Sequence, residues 1–108
     1  MSRKRNPQIA PATALVQLLQ EHDTLPTATW TIDTELGSLH GHLHGGGFEA
    51  LSAYAAVLGG EIAPSRDWEF DGRTVRTHTL SSRWRDVTVR VAVVVPVGAA
   101  VAGSAVAA

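Results

Sequence analysis

The sequence predicts an α+β domain with the element order α-β-β-α-β-β-β: a five-stranded, mainly antiparallel sheet with two helices on one face. Three observations carry that expectation. Apolar and polar residues alternate on either side of Gly37, with Trp30 and Ile32 before it and Leu39, Gly41 and Leu43 after it. Asp71-Gly72, a dipeptide suited to a tight hairpin turn, stands between two further extended runs. Two other stretches, around Leu18 and Leu51, repeat their apolar residues at helical spacing. The 108 residues, 44% of them hydrophobic, suffice for one domain with its own core. Its expected bounds are residues 11–96, preceded by a disordered basic arm (1–10) and followed by a small-residue apolar tail (97–108).

Each element follows from local pattern. From Pro11 to about His22, Leu15, Leu18, Leu19 and His22 are spaced as one helical face, with Pro11 in the first turn. Thr24, Pro26 and Thr27 end that helix. The alternation over 29–35 and 38–44 then reads as a hairpin turning at Leu36-Gly37. In the expected register Thr34 opposes Leu39, Ile32 opposes Gly41 and Trp30 opposes Leu43. The other face pairs Asp33 with His40, Thr31 with His42 and Thr29 with His44. A slip of one residue would set histidines against Trp30 and Ile32. Gly45-Gly46-Gly47 closes the hairpin.

Phe48 to Leu58 reads as the second helix, buried through Phe48, Leu51, Ala55 and Leu58 and stopped by Gly59-Gly60. Trp68-Glu69-Phe70 is the third strand, and Asp71-Gly72 sets Phe70 opposite Arg73 and Trp68 opposite Val75. A fourth strand covers 74–80, a turn at Ser81-Ser82-Arg83 follows, and the last strand runs from Trp84 to Val95. That turn would oppose Leu80 to Trp84, Val75 to Val89 and His78 to Asp86. The core is expected at Trp30, Ile32, Leu43, Leu51, Leu58, Val75, Val89 and Val91.

Composition excludes several functions. With no cysteine, disulfide scaffolds, thiol catalysis and thiolate metal sites are ruled out. A net charge of −1 lacks the strong basic footprint of a nucleic-acid binder. The charge is distributed unevenly. Arg3, Lys4 and Arg5 give +3, residues 6–65 hold six acids and no Lys or Arg, and residues 66–108 carry +2. Such asymmetry favours self-complementary association. No apolar run follows the basic start, so a secretory signal is not expected. Residues 91–108 lack charge, but Pro96, Gly98, Gly103 and Ser104 break the run and much of it is Ala, so a membrane span is not expected either. The expected location is the cytoplasm.

Four patterns are candidates for chemistry. His40, His42 and His44 project from one face of a strand, close enough in pairs to share a metal such as zinc, with Asp33 as a further ligand from across the hairpin. Histidine as a residue type changes charge near neutral pH, so the same cluster is a candidate interface switch. Arg73, Arg76, Arg83, Arg85 and Arg90, with Trp84 among them, form the pattern of a nucleic-acid-binding module, opposed by Asp67, Glu69, Asp71 and Asp86. His44-Gly45-Gly46-Gly47 feeds a helix start, as anion sites do, but lacks the Gly-Lys-Ser/Thr ending of a phosphate loop. No serine has the context of a nucleophile, and no cofactor is implied beyond the candidate zinc.

The stretches Thr29-Trp30-Thr31-Ile32 through Leu43, Asp67 through Gly72, and Trp84-Arg85-Asp86-Val87 resemble small uncharacterised proteins common in actinobacteria. The likeness spans about 70 residues at fold-forming positions and implies no activity. The element order also resembles the roadblock fold, a resemblance that implies dimerisation and a scaffold role. Function is therefore expected to be non-enzymatic association as a homo-oligomer, in the simplest case a homodimer. Zinc-type metal binding through His40–His44 and nucleic-acid binding are the alternatives. The interface is expected at Ala92 and Val94, where the last strand becomes apolar on both faces and must be covered twice.

Overall fold

The computed structural model describes residues 6–33 and 37–97 of the chain. Two helices and six strands follow one another as α1 (Ile9–Glu21), β1 (Ala28–Asp33), β2 (Ser38–Leu43), α2 (Gly47–Leu58), β3 (Glu61–Pro64), β4 (Trp68–Phe70), β5 (Arg73–Trp84) and β6 (Val87–Pro96). The fold is α+β, and all six strands join one sheet in the order β1-β2-β6-β5-β3, with β4 paired to β5 as well. The sheet is mixed rather than uniformly antiparallel, because β2 and β6 run parallel (Leu39 beside Val89, Leu43 beside Val93). β3 is an addition to the expected five strands. Its four residues include Glu61 and Pro64, too short and too polar to alternate visibly.

α1 has no side-chain cap and no acid in its first turn, so packing rather than capping holds it. It buries Pro11, Ala14 and Leu18, a face rotated from the expected Leu15, Leu18, Leu19 and His22. The small side chains of Pro11 and Ala14 allow the closest approach to the sheet, which leaves Leu19 on the flank, 45% exposed. α2 begins after Gly46 and ends at Gly59, both with positive φ. It buries Ala50, Leu51, Tyr54 and Leu58. Phe48, expected in the core, lies in the first turn, 46% exposed, edge-on to His78 at 5.3 Å. Tyr54 takes the central place and donates its hydroxyl to the carbonyl of Pro26.

The register of the first hairpin is displaced by two residues from the expected one. Asp33 pairs with Ser38, Thr31 with His40, Trp30 with Gly41 and Ala28 with Leu43. The displacement is even, so each side chain keeps its face. The expected partners Thr34 and Glu35 lie outside the described residues. Trp30 gains from the shift: its ring lies on Gly41, where an added Cβ would come within 2.9 Å of it, and meets Tyr54 edge-on at 6.0 Å. The Asp71-Gly72 hairpin forms as expected, with Trp68 opposite Val75 and Phe70 opposite Arg73.

The last hairpin differs. β5 continues through Ser81-Ser82-Arg83 to Trp84 and turns at Arg85-Asp86, both left-handed (φ 51° and 64°). Trp84 therefore faces Val87, Leu80 faces Val91 and His78 faces Val93, so the expected His78–Asp86 pair does not form.

One core results, between the two helices and one face of the sheet. Leu18 of α1 and Leu51 and Tyr54 of α2 meet Leu39, Leu43, Leu80, Val87, Val89, Val91 and Val93. Of the expected core, Trp30 and Ile32 are only partly buried, because β1 is the sheet's edge, and Val75 is buried on the opposite face of the sheet, beside Pro96 rather than Val89. No helix among the described residues is long and apolar enough to cross a membrane.

Candidate functional site

Both helices pack on the face that buries Val87, Val89, Val91 and Val93, so the side chains between these along β6 point to the other face. Directly opposed residues share a face. His40 stands beside Arg90 and His42 beside Ala92 across the parallel pair. On the other side of β6, Ser81 stands beside Arg90, Thr79 beside Ala92, Thr77 beside Val94 and Val75 beside Pro96. Thr29 and Thr31 complete the row on β1. This helix-free face is thus mostly threonine, serine and histidine, side chains that tolerate water.

One corner is apolar. Val94 is 45% exposed although β6 lies between two other strands. The register carries the apolar surface from Val94 through Thr77 to Trp68, whose indole Nε1 donates to Thr77 Oγ1 at 3.1 Å. Trp68 and Phe70 stack edge-on at 5.8 Å and are 40% and 61% exposed. A cavity of about 490 Å³ opens beside them, lined by Phe70, Asp71, Arg73, Val94 and Pro96 together with Leu43 and Gly45 at the end of β2. Among the described residues, neither Asp71 nor Arg73 makes an ion pair or side-chain hydrogen bond. Of the two expected interface residues, Val94 lies in this corner whereas Ala92 lies between His42 and Thr79, and the aromatic pair was not expected. The signal was present: two aromatics at i and i+2 on a three-residue strand share one face, and that face is the one away from the helices.

The histidine strand is arranged differently from the expectation. Ser38, not His40, opposes Asp33, because of the two-residue register shift. His40 Nε2 shares a hydrogen bond with Ser38 Oγ at 3.2 Å, and His44 Nε2 shares one with Thr29 Oγ1 at 2.5 Å. The hydrogen-bond partners of these two imidazoles are hydroxyls. Among the described residues, no three His, Asp or Glu side chains converge as a metal site would require. Metal binding by Asp33, His40, His42 and His44 would need Asp33, His40 and His44 to leave their present partners.

The arginines of the last two hairpins do not form one surface. Arg76 pairs with Asp67 at 2.7 Å. Arg85 binds Gln17 at 2.7 Å and Glu21 at 2.6 Å on α1 while its guanidinium lies 4.3 Å from the Trp84 ring centre. Two of the five are thus engaged within the chain, and the Trp84–Arg85 stack joins the β5–β6 turn to α1. No family model matches the chain, and no curated protein or solved structure matches it.

Proposed function

We propose that this chain is a non-enzymatic association domain that pairs with a second copy of itself through the helix-free face of its sheet. The observation that carries the reading is Val94, 45% exposed in an interior strand and continuous with exposed Trp68 and Phe70. Clustered exposed aromatics beside a cavity and an arginine are the composition of interface centres, where a few residues dominate the binding energy. The rim favours a second copy as the partner. A two-fold axis through the Val94 corner would set Arg73 of each copy against Asp71 of the other, giving two reciprocal ion pairs from residues that make none among the described residues.

Sedimentation velocity at tens of micromolar should find a dimer. Val94→Glu should give a monomer with unchanged circular dichroism, since the side chain is already half in solvent. Arg73→Asp should weaken the dimer, and the exchange Asp71→Arg with Arg73→Asp should restore it. A wild type that sediments as a monomer at that concentration overturns the proposal.

A further inference from the structure

β1 ends the sheet, and no described strand pairs with its outer side. Native folds ordinarily close such an edge with proline, lysine, a bulge or a very short strand. The opposite edge obeys that rule, since β3 has four residues ending in Pro64 and β4 has three. β1 does not. Its six residues, Ala-Thr-Trp-Thr-Ile-Asp, include no Pro, Lys or Arg.

A second surface adjoins this edge. On α1, Ile9 and Val16 lie on the side opposite the buried Pro11–Ala14–Leu18 face, and Leu19 lies on the flank between them and that face. They are 55%, 53% and 45% exposed. No charge occurs from Ile9 to Gln20. Between Leu19 and Trp30 lies a cavity of about 360 Å³, floored by Tyr54 and rimmed by Asp23, Leu25 and Pro26. An open backbone edge with an apolar groove alongside is the arrangement that receives an added strand: the ladder binds any backbone, and the groove selects alternate side chains.

We infer that β1 accepts an extended segment of a partner protein as an antiparallel strand, apolar at alternate positions and basic towards its C-terminal end. The electrostatics specify the base. Antiparallel addition brings the C-terminal end of the incoming strand to Ala28, the end of β1 nearest Asp23. Asp23 makes no ion pair or side-chain hydrogen bond among the described residues. No Lys or Arg occurs between residues 6 and 65. A second copy fits poorly, because its β1 would carry Asp33 to that same acidic end.

Two capped hexapeptides test this, Thr-Val-Thr-Val-Thr-Lys and the same peptide ending in Glu, titrated into the full chain and followed by NMR. The Lys peptide should shift the amides of 28–33 and the Trp30 indole. It should bind about tenfold more tightly than the Glu peptide. Asp23→Lys should reverse that preference, and Leu19→Glu should weaken both peptides while leaving the spectrum of the free protein folded. Absence of binding up to about 1 mM, equal affinities, or shifts located on another element would overturn the inference. A change of sedimentation coefficient in Leu19→Glu without peptide would overturn it too, by making a second copy the occupant.

Discussion

Tyr54 is the residue on which most of the helix side depends. It is the single tyrosine of the chain, 1% exposed, with Trp30 against its edge and Pro26 accepting its hydroxyl proton. Burial disfavours the phenolate and raises its pKa above the ordinary 10.0. The protonated form is therefore the one the folded state prefers. That contribution is fully present below pH 10 and is lost as pH rises through the folded value, because only the unfolded chain ionises freely in between. Denaturant midpoints should hold steady to about pH 10 and then fall. Tyr54→Phe should flatten this fall, and with one tyrosine the phenolate absorbance reports the group directly. Had the midpoint stayed flat in wild type, the hydroxyl would be solvated and the α2 placement wrong. Trp30 shows the limit of pattern reading at this scale. Its alternation identified the face, but only the bare Cα of Gly41 explains why its ring sits there and not beside Leu43.

At the scale of elements, turn chemistry decided how much was legible. Asp71-Gly72 states its own geometry, and the pairing of β4 with β5 followed from it residue for residue. Arg85-Asp86 makes a turn of the same size without glycine, with both residues in a conformation costly for side chains bearing Cβ. Nothing in that dipeptide advertises it, so Ser81-Ser82-Arg83 looked the better turn although all three continue β5. What holds Arg85 there is tertiary: Gln17, Glu21 and the Trp84 ring clasp its guanidinium. Asp86 has no such compensation among the described residues. Asp86→Gly should therefore stabilise the fold by about 1 kcal/mol, read as a raised thermal midpoint with unchanged β5–β6 register in NMR. Destabilisation would show that the aspartate does more than occupy a turn. Gly60 is the opposite case. With φ at 94° and the carbonyl of Ser81 where its Cβ would be, it lets the end of α2 pass directly onto β5, where Ser82 Oγ donates to Leu58 at 2.8 Å.

For the whole molecule, class and layering were legible, while the joining of the two halves was not. Hairpin signals lie in neighbouring residues, whereas Leu39 and Val89 meet across half the chain and neither segment names the other. The face proposed for association is left open by the same layering, since two short helices cover one side and leave Val94 45% exposed on the other. The β2–β6 junction has a consequence of its own. It is the only strand pairing among the described residues that links the segment before Gly59 to the segment after it, supplemented by helix packing and the Arg85–Glu21 clasp. Gly59-Gly60 is exposed and follows the last turn of α2. Cut at that dipeptide, the molecule becomes two pieces that are each other's missing wall: one carries α1, α2 and the β1–β2 hairpin, the other a meander whose valines have lost their cover. Co-expressed as separate chains, residues 1–59 and 60–108 should reassemble without a covalent bond and co-purify at one-to-one stoichiometry. Val91→Asp, which inserts a charge where the halves touch, should abolish recovery of the pair, whereas Thr88→Asp on the helix-free face should leave it intact.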